Sequence, residues 1–430
     1  MLGLSLAMTL ARGGMNVTLY EASTEPGGLV SSWCWGGITW DRHYHVILPA
    51  DTALIALLRD LGLEEQIVWH APKSALFAAG RMHPLTTPLD HLRFPALSLT
   101  DKYKLWAMVR RTRGMTNWQQ LSHEPLEAWL RREGGDRVFE RIWRPLVRAK
   151  LGEAYRDVSA SFIWATIQRF YGNNVQAPPR KFGYLRCGYA GVVAQIVRAL
   201  GGMGARIRCG APVRLVSAAA SGMLAVHTDD AVHVYDRVIV TAPPAAAAHL
   251  CAPLSDEERD RLRAITYQGV VCASVMLDRP LGNAYITNIA DEGVPFSSVI
   301  ETSVLCGTDP FGGRHLVYLP RYCGTQDPFF TAGDAAIREQ IVAALMRLYP
   351  HFNEGWIRAL RISRIPSVFA LPTLEYFGRV PGFSTTRRGL YLATSAQIVN
   401  GTLNVNEALG LASRAATHIA LDARYIGALA

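Results

Sequence analysis

At 430 residues the chain is long enough for two or three domain-sized units. Half of its residues are hydrophobic and 18% are charged, which excludes a disordered chain, and no apolar run is long enough to cross a bilayer. The formal charge of +9 is modest for this length and comes with no nucleic-acid-binding motif, so a small-molecule partner is expected rather than nucleic acid. Seven cysteines without a CxxC pair or ligand spacing point to reduced thiols in a cytoplasmic protein and to no metal centre.

Leu4, Ala7, Met8, Leu10 and Ala11 recur at helical spacing, and Gly13-Gly14 stops that helix. Val17–Tyr20 reads as a short strand with Glu21 at its C-terminal end. A helix followed by such a strand is the second half of a βαβ dinucleotide-binding unit. There the last of three glycines permits close helix–strand packing, the helix N-terminus faces a pyrophosphate, and the acidic residue takes ribose hydroxyls. Gly3 stands at the place of that last glycine, and Glu21 lies at the expected distance from it. The unit's first strand and first two glycines are not in the sequence, as expected of a start assigned ~10 residues late or of a truncated product.

The stretch EASTEPGGLVSSW continues the pattern, since a glycine pair lets backbone N–H groups approach phosphates with no Cβ in the way. Here the sequence resembles the flavoprotein family of amine oxidases, protoporphyrinogen oxidases and phytoene or squalene desaturases. Its members carry an acidic residue, a glycine pair and a small polar residue, matched by Glu21, Gly27, Gly28 and Ser32. Many have Arg after the pair, where this chain has Leu29. The resemblance implies FAD as the cofactor.

Asp51 reads as the N-cap of a helix whose face is Leu54, Leu57, Leu58 and Leu61 and which Gly62 closes. In the resembled family the segment before this helix passes close to the flavin ring, which makes Arg42, His43 and His45 the catalytic candidates. Arg42 would meet a phosphate or a substrate anion. The two histidines, two apart, would face opposite sides of a strand, so one at most faces the ring, and a structural role stays open for each.

Helical patterns follow at Asp101–Arg113, Pro125–Arg132, Val138–Ala149 and Ser159–Arg169, with tryptophans at 106, 118, 129, 143 and 164. They suggest a helical substrate domain walled by aromatics. Basic and apolar residues interleave in Lys102–Arg113 and Arg131–Lys150, as in a helix lying on an anionic surface or in a solvated helix face. The first alternative would place the protein peripherally on the inner face of a membrane.

Val192–Leu200 is an apolar helix, and Arg206–Cys209, Val213–Val216 and Val238–Val240 are β patterns. The resemblance places Val213 against the adenine. From about 265 to 372, strand-like runs and a helix at Ala335–Leu348 suggest an antiparallel sheet flooring the substrate site. A strand at Gly389–Ala393 and a helix at Asn406–Ile419 close the chain. By resemblance, Thr394-Ser395 replaces the pair beside the ribityl phosphate, and the amides of Asn404, Val405 and Asn406 reach the ring. A helix N-terminus there suits the negative charge of a reduced flavin.

The expected fold is α/β. A Rossmann-like FAD-binding domain with a three-layer, mostly parallel sheet comprises 1–70, 200–265 and 373–430, and an α+β substrate domain comprises 71–199 and 266–372. The expected function is an FAD-dependent oxidoreductase that takes a hydride from a hydrophobic organic substrate, by desaturation or oxidation of a C–C or C–N bond. Two alternatives stand beside it. One is an isomerase resembling UDP-galactopyranose mutase, for which Arg141, Arg144 and Arg148 would supply cations. The other is a non-catalytic lipid carrier resembling the prenyl-protein escort proteins, which the incomplete glycine fingerprint favours. Nothing in the sequence sets an oligomeric state.

Overall fold

The helix Leu2–Arg12 buries Leu4, Leu6, Ala7, Met8 and Leu10, and Gly14, in the left-handed region at φ +82°, turns the chain toward β1 (Thr18–Tyr20). The computed structural model describes all residues except 88–89, 91–92, 96, 172–180, 221, 400 and 428–430, and the backbone alone for 423–427. β2 (Ser32–Trp35) and β3 (Ile38–Asp41) form a hairpin whose two loop residues, Gly36 and Gly37, both have positive φ, the geometry that matches strand twist. The helix Thr52–Asp60 and β4 (Ile67–His70) follow, then β5 (Lys73–Ala78) and β6 (Arg81–Pro84).

Helices Leu99–Gly114, Leu126–Gly134 and Ser161–Tyr171 lie close to their expected bounds, and Arg144–Leu151 covers the later part of a fourth. The helix expected over Val138–Ala149 is interrupted: Phe139–Trp143 form a π-helical turn. After β7 (Phe182–Leu185) and the helix Gly188–Gly202 come β8 (Arg206–Arg208), β9 (Leu215–Ala218), β10 (Leu224–His227), β11 (Val232–Tyr235) and β12 (Val238–Val240). The strand expected at Val213 begins two residues later, at Leu215. The chain continues through β13 (Tyr267–Leu277), β14 (Ala284–Ile289), β15 (Ser298–Glu301), β16 (His315–Cys323), the helix Asp334–Leu348 and β17 (Ile357–Ala370). It ends in β18 (Leu390–Leu392) and the helix Val405–Gly427.

The fold is α/β. Its Rossmann-like part contains two parallel pairs, β1–β8 in register Thr18↔Arg206 and β12–β18 in register Val238↔Leu390. Among the described residues the two pairs are not hydrogen-bonded to each other. Side-chain packing joins them instead. Leu6 and Leu10 of the first helix meet Ala412, Ala415, Ala416 and Ile419 of the last, where the three alanines allow close approach. Leu4, Ala7 and Met8 pack with Leu54, Leu58, Val192 and Ile196.

The second unit is a seven-stranded sheet in the order β17-β13-β16-β15-β14-β5-β6, antiparallel except for the β14–β5 pair. It recruits β5 and β6 from residues ahead of the helical patterns, where no strand was expected. The run Ala75-Leu76-Phe77 is apolar without alternation, and periodicity alone cannot assign such a short run. β13 is buried along almost its whole length because both faces are covered. Val271, Ala273, Val275 and Leu277 meet the helix Asp334–Leu348, while Val270, Cys272 and Met276 meet Trp40, Tyr184 and Tyr318. All seven cysteines are free, and no helix among the described residues is long and apolar enough to cross a membrane.

Candidate functional site

One cavity of about 3350 Å³ reaches from Glu21 and the Gly27–Gly28 turn, past Arg42–Val46, to Ser395 and the Gly401–Val405 loop. Residues from both ends of the chain therefore line a single elongated space.

At one end the backbone of Glu21 is held on both sides: its N–H donates to the Arg208 carbonyl at 2.9 Å, and its carbonyl accepts the Ala211 N–H at 3.0 Å. Its carboxylate accepts the Ser23 N–H at 2.9 Å. Beside it the Tyr20 and Tyr235 hydroxyls are 2.7 Å apart and Arg208 meets His233 at 2.8 Å, four residues that also line the cavity and that no sequence motif marked. Val213 lines the same end. Gly27 and Gly28 have φ of +143° and +59°, conformations that disfavour any Cβ. A Cβ on Gly3 would stand 3.2 Å from the Thr241 hydroxyl, so the helix needs this glycine to approach the end of β12. Ser32 is not part of the lining; its carbonyl accepts Arg42 Nε at 3.1 Å, and the neighbouring Ser31 faces the cavity.

The strand expected around His43 and His45 is absent. Residues 42–46 form a bend and loop, anchored by the two hydrogen bonds between Ile47 and Gly183. Strand alternation does not apply there, and both histidines line the cavity. Arg42 stacks on Trp33 with its guanidinium carbon 4.3 Å from the ring centre. His43 Nε2 lies 3.1 Å from the Ser363 hydroxyl and its Nδ1 has no partner among the described residues, while His45 packs edge-on against Tyr189. Burial, helped by Arg42, pushes His43 down to about 4, and burial, helped by His43, pushes His45 down to about 3. Both are neutral at neutral pH and weak as bases.

Of the C-terminal candidates, Ser395, Asn404 and Val405 line the cavity and Thr394 and Asn406 do not. Thr394 is buried, its N–H donating to Gln397 Oε1 at 2.8 Å, whereas Ser395 Oγ is 2.9 Å from the Tyr267 hydroxyl. Asn404 Oδ1 accepts the Glu407 N–H at 3.1 Å, capping the helix Val405–Gly427 beside the cavity. Asn406 instead accepts the N–H groups of Ala53 and Leu54, so it caps the helix Thr52–Asp60. Asp51, expected to be that cap, binds Arg169 through both carboxylate oxygens at 2.8 and 3.2 Å. Two helix ends and one arginine meet there, and the carboxylate pairs with the full charge.

Only Trp106 and Trp143 of the five tryptophans line the cavity. Trp118 and Trp164 stack on each other at 5.7 Å, and Trp129 is core. Arg141, Arg144 and Arg148 also lie outside the lining, with Arg144 paired to Glu140 and Arg148 to Glu153 and Glu292. They offer no cations for a sugar nucleotide in this space. Lys150, at the end of the same basic run, does line it.

The chain matches the family described as flavin containing amine oxidoreductase over residues 2–420. It belongs to that family. Within the flavin amine oxidoreductases and their kin, it is similar to the coproporphyrinogen III oxidase of Staphylococcus aureus, 24% identical over 275 residues that make up 56% of this chain and 58% of that protein. The match therefore spans less than three fifths of that relative's length. The fold is shared with an oxidoreductase from Methanosarcina mazei (TM-score 0.75, 20% identity, 96% of this chain and 97% of that one). It is shared equally with reduced UDP-galactopyranose mutase (TM-score 0.73, 16% identity, 97% and 91%), so fold alone does not separate oxidase from isomerase. Membership of the family implies a flavin cofactor. The lining fits one: a carboxylate at one end, a turn of two glycines that leaves backbone exposed, and a capped helix N-terminus at the other.

Proposed function

We propose that the chain is an FAD-dependent oxidoreductase that takes a hydride from a hydrophobic organic substrate at a C–C or C–N bond. The observation that carries this reading is that Glu21 and the Thr402–Val405 loop line one cavity, which suits a dinucleotide better than a short flavin. Residues 1–70, 200–265 and 373–430 would hold the cofactor, and 71–199 with 266–372 the substrate. Flavin, when bound, supplies the hydride acceptor.

The residues of the chain do the rest. Glu21 offers its carboxylate to ribose hydroxyls, and the Gly27–Gly28 turn offers backbone N–H groups to phosphates. The N-terminus of the helix Val405–Gly427 brings partial positive charge to the opposite end. His43 and His45, held neutral by burial, add no fixed charge beside the reacting centre. Apolar walls including Trp143 and Leu146 exclude water from it. Leu99, Tyr103 and Trp106, 70, 67 and 55% exposed on the helix Leu99–Gly114, border the same cavity among basic residues. They support peripheral contact with an anionic bilayer as the source of an apolar substrate.

The test is the visible spectrum of the purified protein. Flavin bands, present on isolation or after FAD is added, are expected, and Glu21→Ala should weaken retention of FAD. A protein without such bands at saturating FAD would favour the carrier instead.

A further inference from the structure

Lys150 is a cation placed where a cation is costly. It sits near the end of the helix Arg144–Leu151, half-buried, and lines the cavity beside Trp143, Leu146 and Val147. Its Nζ lies 3.6 Å from the centre of the Tyr322 ring and 5.4 Å from that of Phe369. Among the described residues no carboxylate pairs with it. The nearby charges are occupied elsewhere: Arg148 and Arg156 hold Glu153, and Arg321 of β16 holds Asp327. β14, also packed against this helix, contributes no ionisable side chain other than Tyr285. Aromatic faces return part of the lost hydration, but an enclosed lysine without a counter-ion remains uncommon.

Next to it is a second polar feature. The Tyr322 hydroxyl is 2.7 Å from that of Tyr44, which follows the Arg42-His43 segment of the same lining. In such a pair one phenol donates to the other and the acceptor's own proton is left over for a further acceptor. This stretch of the lining therefore offers one ammonium and one spare hydroxyl proton, both suited to oxygen anions.

Resting on the oxidoreductase reading, we propose that Lys150 is a substrate anchor that binds the carboxylate of an otherwise apolar substrate, with the Tyr322–Tyr44 pair as the second contact. The anchor would fix which bond of the substrate reaches the reacting centre. Burial alone holds the ammonium down to about 7. A bound carboxylate favours the charged form, so binding should take up a proton. Affinity for the anion should be full below about pH 7 and fall above it.

The experiment compares 2-naphthoate with 2-naphthamide, of the same shape without the charge, on the full chain. Quenching of tryptophan fluorescence gives affinity and calorimetry in two buffers gives proton uptake. The acid should bind about tenfold or more tightly than the amide at pH 6.5, and this preference should shrink by pH 9. Lys150→Met should bind both probes alike, and Lys150→Arg should keep the preference without its pH dependence. Wild-type protein that binds acid and amide equally at pH 6.5 overturns the proposal with no variant needed, as does a folded Lys150→Met that retains the preference. Because no turnover is read, a protein that lacks flavin bands but prefers the acid would sink the oxidoreductase reading and leave the anchor standing.

Discussion

The side-chain oxygen of Asn406 accepts the backbone N–H of Ala53 at 3.0 Å across 353 residues of sequence, and that of Leu54 at 3.2 Å. One helix is thus capped by a residue from the first turn of another. Asn406→Ala should cost about 1 kcal/mol of stability, the usual loss for an N-cap, whereas Asn406→Asp should retain it. Urea denaturation of the two variants checks this.

Asp51 and Arg169 form an ion pair whose side chains are 4 and 13% exposed. Arg169→Met would strand the carboxylate in a dry setting and should lower stability by roughly 3–5 kcal/mol. The double variant Asp51→Asn with Arg169→Met should recover most of that loss, which a double-mutant cycle from urea midpoints would measure.

Gly27 and Gly28 are not equivalent. At φ +59° Gly28 is in the left-handed region that other residues visit at a cost of roughly 1–2 kcal/mol, and a Cβ there meets nothing. At φ +143° Gly27 lies where L-residues are rarely found, with the Ser31 backbone 3.4 Å from a built Cβ. Gly27→Ala should therefore lower the melting temperature more than Gly28→Ala does. Equal shifts would mean that the turn relaxes.

Asp41 gives a pH dependence with a definite sign. Its carboxylate accepts the Tyr189 N–H at 2.9 Å, but burial outweighs that bond and pushes it up to about 7. The folded state thus holds the proton that the unfolded state gives up near pH 4, so this contribution to stability is complete below pH 4 and lost as pH rises to 7. Asp41→Asn keeps an acceptor without a charge. Its stability relative to wild type should improve between pH 4 and 7, by at most ~1.4 kcal/mol per pH unit, and level off above. Denaturation midpoints at pH 4.5, 6 and 8 provide the test.

On the surface, Tyr103→Ser with Trp106→Ser should reduce sedimentation with phosphatidylglycerol vesicles and leave binding to phosphatidylcholine vesicles low in both proteins. Unchanged sedimentation would remove the helix Leu99–Gly114 from any bilayer contact.

Much of the frame could be read from residues alone, because period and punctuation act locally. The first helix with its glycine stop, β12, and the final strand and helix all lie within a few residues of their expected places. Glu21, Gly27 and Gly28 were visible because the family pattern sets residue type at fixed spacing. What stayed hidden depends on contacts between distant segments. That the Asn406 side chain caps another helix could not be seen from spacing, because its partner lies 353 residues away. Asp51 does stand at the N-cap position, but that its side chain is taken by Arg169, 118 residues away, could not be read locally. Ser31 and Ser32 differ only in the direction each faces. Lys150 carried no mark within a basic run in which Arg144 and Arg148 turn to surface carboxylates.

The helix Val405–Gly427 borders the cavity through Asn404 and Val405 and clasps the helix Thr52–Asp60 through Asn406 on the next residue. Filling the cavity and holding the two helices together are thus tasks of a single turn of chain. A guest that settles against this turn should make the whole molecule harder to melt, by an amount that grows with the logarithm of its concentration. Heat resistance would then report occupancy for any compound offered, before its chemistry is known.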